Sequence, residues 1–146
     1  MKVRDIMSHH FVGIARNAAI RLAAVRMRDL DLGMLPVEES GEIVGTVTDR
    51  DITVRGTASG ADPDSVSVGE VMSNEIYTCV EDDELHDAAR IMEEYQVRRL
   101  MVQDSDGRFI GMLTLADVAR HHGTEGVRAD ILKEISQPAM KNGVAH

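Results

Sequence analysis

The sequence predicts an α/β fold made of two tandem β-α-β-β-α repeats related by a pseudo-twofold axis. Three observations lead to this prediction. Shifted by 65 residues, the segment that begins at Val3 aligns with the segment that begins at Val68. Both copies then show the same order of strand-like and helix-like apolar patterns. The apolar fraction of 43% in 146 residues supports a core of ordinary size.

The repetition runs through the whole of both copies. Val3–Ser8 aligns with Val68–Ser73, and after one inserted residue, Asp106, the segment Gly45–Asp51 aligns with Gly111–Asp117. A single repeat of about 50 residues buries too little surface to be stable alone, so we expect the copies to pack sheet against sheet. The predicted organisation is repeat one at 1–56, a small-residue linker at 57–67, repeat two at 68–123, and a C-terminal helix and tail at 124–146.

Each copy opens with a short apolar strand, predicted at Phe11–Ile14 and at Ile76–Val80. Polar residues that can cap a helix follow, Asn17 in repeat one and Asp82 or Asp83 in repeat two. The next apolar residues recur with the 3.6-residue period of a helix. They are Ile20, Ala23, Ala24, Met27 and Leu30 in repeat one, and Leu85, Ala88, Ala89, Met92 and Tyr95 in repeat two.

A pair of strands and a second helix complete each copy. Turn residues separate the two strands, Glu-Ser-Gly in repeat one and Asp104–Gly107 in repeat two. A second helix is predicted after Thr48 and after Thr114. The predicted strands are Met34–Glu38 and Ile43–Val47 in repeat one, and Arg99–Gln103 and Phe109–Leu113 in repeat two.

Composition excludes several classes of function. The net charge of −9 and the scarcity of aromatic residues disfavour direct nucleic-acid binding, which needs concentrated cations. The single cysteine, Cys79, cannot form an internal disulfide. No secretory signal and no apolar run of about 18 residues is present, so we expect a cytoplasmic chain without membrane contact.

The duplicated segment Gly-x-Val/Leu-Thr-x-x-Asp ends a strand and opens a helix in both copies. The threonine hydroxyl there can donate to a phosphate or sugar oxygen, and the aspartate can accept from both hydroxyls of a ribose. The glycine allows close approach of a ligand or of the facing backbone. A capping box, in which the threonine and aspartate only satisfy the helix start, is the competing interpretation.

The element order, the opening Met-Ser and the repeated Gly-x-x-Thr-x-x-Asp motif resemble the CBS domain over about residues 3–123. Two domains in tandem resemble a CBS pair, or Bateman module, and the segments Thr48–Ile52 and Asp62–Asp64 look most like stand-alone bacterial CBS-pair proteins. The resemblance implies a regulatory, non-enzymatic module that binds an adenine nucleotide or relative in clefts between the repeats. It implies AMP, ADP, ATP or NAD as candidate ligands and no required cofactor.

Carried over by the resemblance, the ribose-binding acids are Asp51 and Asp117, and the ligand-contacting hydroxyls are those of Thr48 and Thr114. The family's threonine of the first strand falls on Thr78. Its counterpart in repeat one is Gly13, which has no hydroxyl.

The cations that would meet a phosphate are Arg98 and Arg99, whose counterparts in repeat one are Gly33 and Met34. Arg50 offers partial compensation there. We therefore expect unequal clefts. The one built on Arg98, Arg99, Thr114 and Asp117 suits a phosphate better, and the one built on Thr48, Arg50 and Asp51 suits a neutral nucleoside, a different nucleotide or no ligand.

Other reactive side chains fit structural roles better. The adjacent pairs His9-His10 and His121-His122 lack metal-binding spacing, and neighbouring residues on a helix point apart, so we assign no metal site. Cys79 has no histidine near it in sequence and fits a buried thiol. We assign no catalytic residue. The alternatives are a structural or stress-associated interaction protein that binds no nucleotide, and, with less support, a small enzyme or metal protein.

The amphipathic helices also predict self-association. The helix that carries Ala23 and Ala24, with its counterpart carrying Ala88 and Ala89, has small residues that allow close helix approach. CBS pairs usually associate through such helices, so the resemblance implies a homodimer, and a regulated protein partner of unknown identity is compatible with it.

Overall fold

The computed structural model describes residues 1–121, which form two compact units. The repeat-one unit is Phe11–Ile76, and the repeat-two unit combines Met1–His10 with residues 77–121. The helix and tail predicted at 124–146 lie outside the described residues. Within residues 1–121, no helix is long and apolar enough to span a lipid bilayer.

The repeat-one unit has the predicted β-α-β-β-α order. Its elements are β1 (Ile14–Ala15), α1 (Ile20–Leu30), β2 (Met34–Glu39), β3 (Glu42–Thr48), α2 (Asp49–Asp51), which continues as a π-helical turn over Ile52–Gly56 and a 3-10 turn over Thr57–Ser59, and α3 (Val68–Val71). The sheet has the order β1-β2-β3, with β1 parallel and β3 antiparallel to β2. Ser40 and Gly41 turn the chain between β2 and β3 with positive φ angles of 53° and 79°.

The repeat-two unit repeats this architecture. Its elements are a 3-10 turn (Val3–Asp5), β4 (Thr78–Val80), α4 (Leu85–Tyr95), β5 (Arg99–Gln103), β6 (Phe109–Thr114) and α5 (Leu115–Ala119). The sheet has the order β4-β5-β6, again with a parallel and an antiparallel pair. The duplicated α/β fold is therefore confirmed.

The first strand of each copy is shorter than predicted. In repeat one it begins at Ile14 and not at Phe11, and in repeat two at Thr78 and not at Ile76. Only Ile14 and Ala15 pair with β2, at Val37 and Glu38. The backbone before them makes other contacts, since the Gly13 carbonyl accepts a hydrogen bond from Arg26.

The capping residues predicted for the first helix of each repeat, α1 and α4, were wrong. The residues that precede α1 and α4 are Ala19 and Glu84, and neither side chain caps its helix. Backbone carbonyls do this instead, because Ile20 N donates to Val66 O at 2.9 Å and Leu85 N donates to Met1 O at 2.9 Å. Segments distant in sequence therefore satisfy the first free N–H groups of both helices.

Each unit takes its opening segment from the other sequence repeat. Val3 and Met7 are buried in the core of the repeat-two unit, whereas Val68, Val71 and Met72 are buried in the core of the repeat-one unit. Ion pairs hold the N-terminus in place, among them Lys2 Nζ to Glu84 Oε1 at 2.7 Å. That hydrogen bond from Lys2 is the main cause that lowers the pKa of the Glu84 carboxyl.

The first helices pack their small residues unequally. Ala23, Ala88 and Ala89 are fully buried in the cores of their own units. Ala24, the counterpart of Ala89, is exposed, and so is Leu30. The predicted contribution of Ala89 to a helix surface for self-association was therefore wrong, because its methyl group packs inside the repeat-two unit.

Candidate functional site

The predicted ligand residues of repeat two lie together at one edge of their sheet. Strands β4 and β5 begin at this edge and β6 ends there, so the opening residues of two strands meet the start of α5. Arg99 lies opposite Thr114 in the β5–β6 register, and the Arg98 carbonyl accepts from Leu115 N at 2.8 Å. We call this group the Thr114 corner: Thr78, Arg98, Arg99, Thr114 and Asp117.

Alternation along the strands sets the direction of these side chains. Cys79 and Leu113 are buried in the core of the unit. Their neighbours Thr78 and Thr114 therefore lie on the opposite face of the sheet, where both are half-buried. The Arg98 side chain is exposed, and its guanidinium makes no hydrogen bond or ion pair within residues 1–121.

A capping box joins Thr114 to Asp117. Asp117 N donates to Thr114 Oγ1 at 3.1 Å, and Thr114 N donates to Asp117 Oδ2 at 2.9 Å. The two contacts satisfy backbone N–H groups at the start of α5. The threonine–aspartate spacing therefore has a structural role in repeat two.

The same box recurs in repeat one. Asp51 N donates to Thr48 Oγ1 at 3.0 Å, and Thr48 N donates to Asp51 Oδ2 at 2.9 Å. Met34 lies opposite Thr48 in the β2–β3 register, and Asp49 N donates to Gly33 O at 3.1 Å. We call this group the Thr48 corner: Gly13, Gly33, Met34, Thr48 and Asp51.

The two corners differ in charge. The Thr48 corner has uncharged residues at Gly33 and Met34, where the Thr114 corner has two arginines. Arg50, the proposed compensating cation, is exposed, and its backbone N donates to Asp49 Oδ1 at 2.8 Å. The adjacent Asp49 carboxylate therefore offsets part of the positive charge that Arg50 brings to α2.

In repeat one, the space beside Gly13 that a threonine side chain would need is filled by Glu38. A Cβ atom on Gly13 would lie 2.6 Å from Glu38 Oε1. Glu38 is the β2 residue opposite Ala15, so its carboxylate folds back over the start of β1. Sequence reasoning missed Glu38, which places a negative charge where the other corner has the hydroxyl of Thr78.

The motif glycines serve backbone packing. A Cβ on Gly111 would lie 2.1 Å from the Ser8 carbonyl oxygen, and one on Gly45 would lie 2.2 Å from the Ser73 carbonyl oxygen. Ser8 and Ser73 belong to the Met-Ser segments that pair with β6 and β3. Of the two roles open at the sequence level, close approach of the facing backbone is therefore the one realised.

A further contact at the Thr114 corner was not predicted. The Arg120 Nη2 atom donates to Asp117 Oδ1, which occupies the second carboxylate oxygen. The Asp117 side chain is 9% exposed and that of Arg120 is 68% exposed. A cation three residues after the acid on a helix was the available sequence signal. The aligned residue in repeat one is Val54.

Within the part of the chain that the structure describes, the other reactive side chains form no second site. Burial, with a smaller contribution from Asp83, raises the pKa of the Cys79 thiol to about 12, so this cysteine is a poor nucleophile. Within residues 1–121, no group of three or more His, Cys, Asp or Glu side chains could hold a metal ion. His9 and His10 are exposed, and His122 lies outside the described residues.

Comparisons with known proteins identify relatives of both repeats. Residues 3–55 and 68–123 each match the CBS domain. Hypoxic response protein 1 of Mycobacterium tuberculosis is 37% identical over 119 residues, which are 81% of this chain and 82% of that protein. A crystal structure of Hypoxic Response Protein I with two coordinated zinc ions has a TM-score of 0.72 at 35% identity, covering 83% of this chain and 98% of that chain.

Two further solved structures share the fold. The conserved CBS domain protein TA0289 of Thermoplasma acidophilum has a TM-score of 0.82 at 29% identity, over 94% of this chain and 77% of that one. The CBS domain pair of protein MJ0100, in complex with 5′-methylthioadenosine and S-adenosyl-L-methionine, has a TM-score of 0.73 at 27% identity. It covers 86% of this chain and 98% of that one.

Proposed function

The chain belongs to the CBS-domain family, and on that premise we propose that it is a regulatory module that binds an adenine nucleotide or a related molecule. It acts by binding and not by catalysis. The observation that carries the proposal is the recurrence of one threonine–aspartate arrangement at the end of β3 and of β6. A single capping box is common, whereas two in register at sheet edges favour a shared binding role.

Capping and ligand binding are compatible in this geometry. Each threonine oxygen accepts from a backbone N–H, but neither hydroxyl donates a hydrogen bond within residues 1–121. A threonine hydroxyl has one proton to donate, so Thr48 and Thr114 each keep a donor for a ligand oxygen. Asp51 uses only Oδ2 in its box, and its Oδ1 keeps acceptor capacity for a ribose hydroxyl.

The Thr114 corner fits the phosphate of a nucleotide better than the Thr48 corner. Arg98 is exposed and makes no ion pair within the described part of the chain, and Arg99 begins the adjacent strand. A guanidinium binds phosphate oxygens through charge-assisted hydrogen bonds. The carboxylates of Asp49 and Glu38 lie near the other corner, and they oppose a phosphate there.

Regulation follows from differential binding. A ligand that contacts one arrangement of the chain better than another shifts the population towards it and changes the surface presented to a partner. Cys79 is buried, and the carboxylates of Asp51 and Asp117 each accept a backbone hydrogen bond in a capping box. These groups form no pair of nucleophile and base, which favours a regulatory role over an enzymatic one.

Isothermal titration calorimetry on the full chain tests the proposal. The panel is AMP, ADP, ATP, NAD and S-adenosylmethionine, the last because the MJ0100 pair was solved with it. We expect saturable binding of at least one compound and a rise in melting temperature, since a ligand at about 100 times its Kd adds about 2.7 kcal/mol of stability. Absence of binding to every compound would instead favour a structural or stress-associated interaction protein.

We further propose that the protein is a cytoplasmic homodimer. Helix α1 exposes Leu22 and Leu30, with 45% and 49% of their surface accessible. Apolar side chains of this size are stabilised when a second copy covers them. Sedimentation at micromolar concentration is expected to give about twice the chain mass of 16.0 kDa, and a concentration-independent monomer would contradict the proposal.

A further inference from the structure

The two motif aspartates differ in the state of their second carboxylate oxygen. Asp51 Oδ2 accepts from Thr48 N, and Oδ1 has no hydrogen-bond partner within residues 1–121. Asp117 Oδ2 accepts from Thr114 N in the same way, but its Oδ1 accepts from Arg120. Asp51 therefore keeps one carboxylate oxygen without a partner, whereas both oxygens of Asp117 already accept a hydrogen bond.

The difference comes from one aligned position. Arg120 follows Asp117 by three residues, which places its side chain on the same side of the helical turn, and the pair meets as an ion pair. The position aligned with Arg120 in repeat one is Val54, whose exposed side chain has no hydrogen-bond donor. The Asp117 carboxylate is nearly buried, so its contact with Arg120 is screened less than an ordinary surface pair.

We infer that Arg120 is a specificity-determining residue that competes with ribose hydroxyls for Asp117. The inference rests on the proposed function and deepens it. A ligand hydroxyl and the guanidinium need the same Oδ1 atom, and the charge-assisted bond to the guanidinium is the stronger of the two. A ribose at the Thr114 corner must therefore displace Arg120 or share the Oδ1 atom with its guanidinium, and either costs affinity. A ribose at the Thr48 corner meets an oxygen without a partner.

The two corners consequently recognise ligands in different ways. At the Thr48 corner the ribose hydroxyls contribute directly to affinity through Asp51. At the Thr114 corner they contribute less, and recognition depends more on the phosphate through Arg98 and Arg99. A ligand without ribose hydroxyls loses affinity at the first corner and keeps most of it at the second.

Calorimetry with AMP and 2′,3′-dideoxy-AMP tests this inference. The measured quantity is the Kd of 2′,3′-dideoxy-AMP divided by the Kd of AMP. Both compounds carry the same phosphate, so any effect of Arg120 on the phosphate cancels in this ratio. An Asp51→Asn background isolates the Thr114 corner. There Arg120→Gln is expected to raise the ratio of dideoxy to ordinary Kd by about 3- to 10-fold, because the Asp117 oxygen becomes open to the ribose.

The reciprocal variant transfers the contact to repeat one. In an Asp117→Asn background, Val54→Arg is expected to lower the ratio at the Thr48 corner by a similar factor, because the new cation competes for Asp51. Arg120→Lys keeps the charge and is expected to leave the ratio near that of the parent. Arg108→Gln, at an exposed arginine of the β5–β6 turn, is the charge-matched control and is expected to leave the ratio unchanged.

The outcomes separate this inference from the function on which it rests. If the parent chain binds AMP and Arg120→Gln leaves the ratio unchanged while the variant melts as a folded protein, the competition is refuted and nucleotide binding stands. If the parent chain binds neither compound, the proposed function fails and the inference fails with it.

Discussion

Replacing Gly111 by alanine tests how the motif glycine acts. The added Cβ would lie 2.1 Å from Ser8 O and 2.7 Å from Met7 Cε, whereas real Cβ contacts are essentially never closer than 3.0 Å. The Ser8 backbone must therefore move by about 1 Å. That movement disrupts a reciprocal backbone pair, Ser8 N to Met112 O at 2.9 Å and Met112 N to Ser8 O at 3.0 Å.

The magnitude follows from these contacts. Loss of two backbone hydrogen bonds costs about 1–3 kcal/mol, and forcing an extra carbon into a packed site costs about 1–3 kcal/mol. The smaller conformational freedom of alanine in the unfolded chain offsets about 0.4–1 kcal/mol. Gly111→Ala is thus expected to lower the free energy of unfolding by about 2–5 kcal/mol, a large part of the usual total.

Urea denaturation followed by circular dichroism measures this loss. Gly45→Ala, with the Ser73 oxygen at 2.2 Å, should behave in the same way. Gly107→Ala is the control, because its φ of 81° brings strain of about 1–2 kcal/mol but no atom lies within 4 Å of the new Cβ. If Gly111→Ala were no more destabilising than Gly107→Ala, the backbone-approach explanation would be refuted.

Two further predictions concern burial. Folding raises the pKa of Cys79 from 9.0 to about 12, mainly through burial. The contribution of the protonated thiol to the free energy of unfolding is therefore fully present below pH 9. It should fall as the pH rises from 9 towards 12, by up to about 1.4 kcal/mol per pH unit. Chemical denaturation across this range should show a shallower pH slope in Cys79→Ala, and equal slopes would contradict the assignment. Ala24→Glu should shift the sedimenting species to the monomer with little change in melting temperature. Ala89→Glu should unfold the repeat-two unit, because a charge in the core of that unit costs several kcal/mol. A persistent dimer in Ala24→Glu would place the interface elsewhere.

The sequence was sufficient for features that depend on local spacing. The repeat predicted the β-α-β-β-α order because the same apolar periods recur in both copies. The three-residue spacing of Thr48 and Asp51, and of Thr114 and Asp117, offered a capping box as the competing interpretation of the motif, and the structure contains both boxes. The ligand role assigned to these residues stays a prediction, supported by the hydroxyl protons and by the Asp51 oxygen that the boxes leave available.

Features that depend on distant segments could not be read in this way. The first helices take their caps from Val66 and Met1 carbonyls, so a search for a polar residue just before the helix selected Asn17 wrongly. The exchange of opening segments between the units has the same origin, because burial of Val3 and Val68 depends on tertiary packing. The Arg120 contact was within reach of sequence reasoning, since aligning it with Val54 shows a cation in one copy alone.

A calorimetric titration tests most directly the central claim that the motif aspartates bind an adenine ligand. The best-binding adenine ligand is titrated onto the parent chain and onto the double variant Asp51→Asn, Asp117→Asn. Asp106→Asn, at an exposed acid of the β5–β6 turn, is the control. We predict saturable binding to the parent and to the control. In the folded double variant, we predict at least about 10-fold weaker binding at the Thr48 corner, where the open ribose acceptor is lost, and a smaller loss at the Thr114 corner, where Arg120 already binds Asp117. Equal affinity in parent and double variant, or no binding by the parent, would contradict this claim.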